Sequence, residues 1–127
     1  MKGNYVDGFL LTVPKNKVAE YKKMATWGKK TWMKHGALAY YECMGDGLKT
    51  KADHGPKPRS FIETAKAKPS DTVWFSFIVY KNKAHRDAVN KKVMAQMNKE
   101  AKKWEGVPMP FDPRKMSYGG FTAVVRA

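Results

Sequence analysis

Cysteine is nearly missing from this chain: Cys43 is the one cysteine in 127 residues. That excludes an internal disulfide and fits a protein kept in a reducing cytoplasm. Acidic residues are also scarce, with 11 Asp and Glu against 25 Lys and Arg, for a formal net charge of +14. Arginine is scarcer still, since only Arg59, Arg86, Arg114 and Arg126 carry a guanidinium. No apolar run approaches the roughly 20 residues that a membrane-spanning helix needs. The opening residues lack a small-residue cleavage pattern and read as a strand, not a signal peptide. His35, His54 and His85 form no pair with metal-ligand spacing, so no metal site is expected. There is no GxSxG, no phosphate-cradling glycine loop and no dinucleotide fingerprint, so no cofactor is expected.

What is present is enough to build a core. The chain is 43% hydrophobic and 13% aromatic, and its length suits one domain spanning residues 1–127. A charge this positive could attract nucleic acid, an anionic membrane or an acidic substrate. Yet it comes almost entirely from lysine, spread along the chain, whereas base and phosphate readers favour arginine's planar fork. A solvated lysine coat is the better reading, and nucleic acid and membrane are disfavoured as partners.

Tyr5–Val13 alternates as a strand and stops at Pro14. Asn16 can then cap a helix to about Lys34, with Val18, Tyr21, Ala25, Gly28 and Trp32 as its apolar stripe and His35-Gly36 as its stop. Ala37–Met44 is a second strand, and residues 45–60 form a long loop, expected to be the most mobile part. Phe61–Ala67 suits a short helical turn. Thr72–Tyr80 is dense in aromatic and β-branched residues and is the plainest strand. Asn82 caps a second helix with the stripe Arg86, Val89, Val93, Met97 and Trp104, ended by Gly106 and Pro108. A last strand covers about Met116–Val125. The order β-α-β-β-α-β predicts an α+β, ferredoxin-like fold, a four-stranded antiparallel sheet with both helices on one face and the first and third strands central.

The central strands are apolar on both sides. Val73, Phe75, Phe77 and Val79 alternate with Trp74, Ile78 and Tyr80, and Phe9, Leu11 and Val13 oppose Val6 and Leu10. Two helices cover one face, so the other asks for a second copy packed sheet to sheet. The alternative is that the long loop and Phe61–Ala67 fold across it.

The segments "YVDGF", "EC" before a glycine-aspartate pair, "VWFSFIVY" with "RDA" behind it, and above all "MPFDPRKMSYGGF" resemble the YbaA-like family of small bacterial proteins, a domain of unknown function. The resemblance covers nearly the whole chain. It implies a dimeric α+β barrel, related to cofactor-independent monooxygenase-like and stress-responsive proteins, with no activity established for the family itself. Met44 stands where the family tends to have tryptophan and Val79 where it tends to have an acid. The basic charge exceeds what the family leads one to expect.

The strand order gathers Glu42, Cys43, Thr72, Arg114, Lys115 and Tyr118 toward one end of the sheet. An acid, two cations and a phenol there could bind an anionic or phenolic ligand, or stabilise an enolate. Glu42, Arg114, Tyr118 and Lys115, with Asp7 and Ser76, are therefore the candidate ligand-binding residues. Arg114 with Glu42 could instead be an interstrand ion pair. Asp7 is odd in an apolar strand and needs a partner there, a lysine being the commoner answer, unless it serves as a buried base. Gly119-Gly120 suit a bulge or a close backbone approach. Cys43 reads as a packed strand residue, and Trp27, among Lys23, Lys30 and Lys34, as the best foothold for nucleic acid. The residues favour a homodimer binding a small organic molecule beside its sheet, with enzyme activity open. The alternative is a non-catalytic interaction or stress-related module, and a nucleic-acid-associated protein comes last.

Overall fold

The computed structural model describes residues 3–127. Four strands, β1 (Tyr5–Pro14), β2 (Ala39–Met44), β3 (Asp71–Tyr80) and β4 (Ser117–Thr122), form one antiparallel sheet in the order β2-β3-β1-β4. Helices α1 (Val18–Lys34) and α3 (Lys83–Lys99) lie on one face, joined by short turns α2 (Phe61–Thr64) and α4 (Ala101–Trp104). This is the α+β ferredoxin-like arrangement the sequence predicts. The two apolar strands, β1 and β3, are the central pair.

Local chemistry sets the helix ends. The Asn82 side chain accepts the His85 N–H at 2.8 Å, capping α3, and Ser60 caps α2 in the same way through Glu63. Gly36 follows α1 at φ 113°, a left-handed position where glycine avoids a Cβ penalty. Asn16 is not the cap of α1: a 3-10 turn over Lys15–Lys17 intervenes, and Lys17 stands at the helix start without a side-chain bond. The second helix also breaks earlier than its stripe suggests, at Glu100. The Glu100 carboxylate accepts from the Gln96 amide and from the Trp27 indole, and α4 then presents Trp104 edge-on to Trp27 at 5.7 Å. Trp27 is thus half-buried between the helices and no longer offers an exposed platform for a base.

Two apolar clusters share the helix-facing side. Tyr5, Ala37, Ile78, Tyr80, Val89 and Val93 make one; Leu11, Val13, Tyr21, Ala25 and Trp74 make the other, and Phe9 packs against both. The opposite face is only partly covered. Phe61 tilts onto Phe75 at 6.2 Å, and Leu48 packs near Gly45 where Val73 is buried. Tyr41, Phe75 and Phe121 remain about half exposed or more. Cys43 lies on this face and is exposed, not packed, because β2 is an edge strand with no cover there. No described helix is long and apolar enough to cross a membrane.

Candidate functional site

Cross-strand register lays the polar residues of the helix-facing side in two adjacent rows. Glu42 pairs with Ser76, Ser76 with Phe9, and Phe9 with Tyr118. In the next row Tyr40 pairs with Ile78, Ile78 with Asp7, and Asp7 with Gly120. Alternation puts a carboxylate in each row, under the helices, where neither can stay without partners.

Glu42 is satisfied entirely by hydroxyls. Tyr21 donates to Oε1 and Tyr40 to Oε2, each at 2.7 Å, and Ser76 donates a short hydrogen bond to Oε1. Burial pushes both phenols above the ordinary tyrosine range, and the negative charge of Glu42 pushes the same way. Gly28 makes room for this arrangement, because a Cβ on it would stand 2.6 Å from the Tyr40 hydroxyl.

Asp7 is satisfied by a cation. Arg86, from the first turn of α3, donates from Nη1 to its Oδ1 at 2.6 Å and to the Tyr118 hydroxyl at 3.1 Å. The Arg86 guanidinium also lies 5.0 Å from the Tyr5 ring centroid, a cation–π contact. Tyr5 in turn lies across Gly120, where any Cβ would collide with its hydroxyl. The expected bulge is absent, since the β1–β4 register runs on unbroken; the glycine serves the close approach. Asp7 is 1% exposed, and burial lifts its carboxyl above the usual carboxylate range, against the pull of Arg86 and the Tyr80 and Tyr118 hydroxyls. Burial also works against the Arg86 charge, but Asp87 and Asp7 outweigh it and hold the guanidinium above its ordinary value.

Beside this group lies a cleft of about 270 Å³, lined by Asp7, Phe9, Trp32, Ile78, Asn90, Met94, Met116 and Tyr118. Arg86, Asn90 and Met94 recur every four residues, so one stripe of α3 faces the cleft while Val89 and Val93 enter the core. Tyr118 stacks on Phe9 with ring centroids 4.9 Å apart. The Asn90 side-chain oxygen accepts from the Trp32 indole at 3.0 Å and from Tyr80 at 3.3 Å.

The candidate residues therefore divide. Asp7 and Tyr118 meet at the cleft, and Glu42 and Ser76 meet under α1. Arg114 and Lys115 reach neither place: Arg114 is exposed and its guanidinium bonds Asp112 of its own turn, so the Glu42 ion pair does not form. Asp112 instead initiates that turn, accepting the Arg114 N–H at 3.0 Å. The partner of Asp7 is an arginine where the sequence suggested a lysine. Arg86, Tyr5, Trp32, Asn90 and Met94 were missed. One signal was available for Arg86, a charge in the apolar stripe of α3 that needed a counter-charge as much as Asp7 did. Among the described residues no group of three or more His, Cys, Asp or Glu could hold a metal ion.

A fold of this class is shared by many chemistries, and comparison with known proteins places the chain more closely. Residues 4–113 match the family described as "Protein of unknown function (DUF1428)". The chain is 36% identical over 121 residues to the uncharacterized protein YbaA of Escherichia coli K12, covering 95% of this chain and 97% of that one. The uncharacterized YbaA of Shigella flexneri matches at the same 36% identity and coverage. The chain belongs to this YbaA-like family, DUF1428.

Proposed function

We propose that this is a homodimeric α+β-barrel protein that binds a small, mostly apolar organic molecule in the cleft between sheet and helices. One observation carries the reading: an apolar cleft of about 270 Å³ ends on the buried Asp7, held by Arg86 beside Tyr118. Ligand pockets commonly run from roughly 300 Å³ upward, so the molecule is small, of one or two rings. Met94→Trp fills the cleft without touching the polar group. Small aromatic compounds should raise the melting temperature of the wild type and leave this variant unmoved. Shifts that persist in the variant, or none in either protein, would discard the reading.

The homodimer rests on the helix-free face. None of the residues that the strands direct to that side is charged, in a chain of net charge +14. Two such cations meet with least repulsion there, and Tyr41, Phe75 and Phe121 supply apolar area on it. Sedimentation should find a dimer at micromolar concentration, and Phe75→Lys with Phe121→Lys should give a folded monomer. A monomeric wild type would refute it.

The catalytic form of the proposal, a cofactor-independent monooxygenase-like enzyme, gives Asp7 the role of base toward the bound molecule. Its raised pKa suits proton removal near neutrality. Oxygen uptake with an electron-rich phenol as probe separates this from binding alone. A second reading, a non-catalytic interaction or stress-related module, is favoured by one observation: Asp7, Arg86 and Tyr118 already bond one another. On that reading the dimer test succeeds and every ligand test fails.

A further inference from the structure

The hydrogen-bond directions at the cleft, rather than its volume, restrict what it can hold. The Asn90 side-chain oxygen is taken by two donors, the Trp32 indole N–H and the Tyr80 hydroxyl. An indole N–H can only donate, so the amide is oriented with its oxygen toward Trp32 and its NH2 group left over. That nitrogen makes no hydrogen bond among the described residues. The Tyr118 oxygen likewise accepts from Arg86, which leaves its own proton to give. Burial is the main cause that keeps this phenol above its ordinary pKa, with Asp7 adding to it and Arg86 opposing, so the proton stays on at neutral pH. Both polar groups that border the cleft beside Asp7 thus offer a hydrogen to whatever enters.

Charge restricts the occupant further. Of all the lysines in this strongly basic chain, none lines the cleft, and the carboxylate that does is already matched by Arg86. An anionic ligand would meet Asp7 with no free cation to offset it, and a cationic one would compete with a guanidinium at 2.6 Å. The stacked Phe9 and Tyr118 rings, with Trp32, Met94 and Met116, make flat apolar walls.

Building on the ligand-binding reading above, we infer that the cleft takes an uncharged, planar aromatic compound bearing a hydrogen-bond acceptor, a ketone or quinone oxygen, received by the Tyr118 hydroxyl and the Asn90 amide. The test uses tetralone, its carbonyl-free analogue tetralin, and the ions naphthoate and naphthylmethylammonium, titrated calorimetrically into the full chain. Tetralone should bind best. Tyr118→Phe should weaken tetralone about five- to tenfold, the worth of one hydrogen bond, and leave tetralin unchanged. The Phe ring keeps the stack on Phe9, so a merely structural effect would weaken both neutral probes alike, and that result overturns the inference. Naphthoate or naphthylmethylammonium binding as tightly as tetralone also overturns it, while leaving the ligand-binding cleft standing. If no probe binds, or all bind equally to Met94→Trp, the cleft reading falls and this inference with it.

Discussion

Two carboxylates, one row apart on the same sheet face, are kept by opposite means. Glu42 is held by three neutral hydroxyls under α1, and Asp7 by one guanidinium at the edge of an open cleft. Neutral donors spread a charge without introducing another, so a hydroxyl cage closes into ordinary packing. A cation must itself be desolvated and fixed, which ties Arg86 to Asp7, Tyr118, Tyr5 and Asp87 at once. That second arrangement is exacting and sits beside unfilled space. The contrast is what separates a structural polar cluster from a candidate site.

Removing the cation should break the contrast most severely. Arg86→Met leaves Asp7 buried and uncompensated, at a cost of about 3–5 kcal/mol in denaturant unfolding at neutral pH. The sign of its pH dependence follows from Asp7. Its folded pKa already lies above the unfolded value, so the native state binds more protons and stability falls as pH rises through that window. Without Arg86 the folded value climbs further, and the variant should regain stability on acidification more than the wild type does. A variant equally unstable at both pH values contradicts the buried-charge account.

Glu42→Ala should cost less, about 2–3 kcal/mol, because it strands hydroxyls of Tyr21, Tyr40 and Ser76 without leaving a bare charge. A loss matching that of Arg86→Met would erase the distinction between the two carboxylates.

Alkali sharpens the comparison from the phenol side. Tyr21 and Tyr40 near Glu42, and Tyr80 near Asp7, are all pushed up by burial first and carboxylate charge second. Their contribution is fully present below the ordinary tyrosine range and is lost as pH rises toward the folded values. Ultraviolet titration should therefore show these phenolates appearing only with unfolding. Early ionisation of Tyr21 or Tyr40, read in Phe variants, would mean the cage is wet.

The smallest effect is expected at Gly28. Alanine in a helix interior normally gains about 1 kcal/mol over glycine, but here the added Cβ meets the Tyr40 hydroxyl at 2.6 Å. Gly28→Ala should be mildly destabilising, and Tyr40→Phe in the same chain should return part of the helical gain. A Gly28→Ala protein more stable than wild type would show that Tyr40 need not reach Glu42 past α1.

The strands, the capping of α3 by Asn82 and the apolar character of both sheet faces were legible because period and turn chemistry are local. The early end of α3 was not, since Glu100 answers to Trp27, distant in sequence. Arg114 was misplaced for a related reason: spacing put it near Glu42, but Asp112, two residues away, holds it first. Asp7 was visible as an anomaly, and so in retrospect was Arg86, yet nothing in the linear pattern joined them.

By itself, then, the sequence determined the element order, the central β1–β3 pair and the need to bury two acids, because periodicity and desolvation act on each residue wherever it lies. Only the tertiary structure decided which cation met Asp7, that Glu42 received hydroxyls instead, and that a cleft stayed open beside one of them. Those outcomes depend on cross-strand register and on where α1 and α3 set down on the sheet, and such distances exist only once the chain has closed on itself.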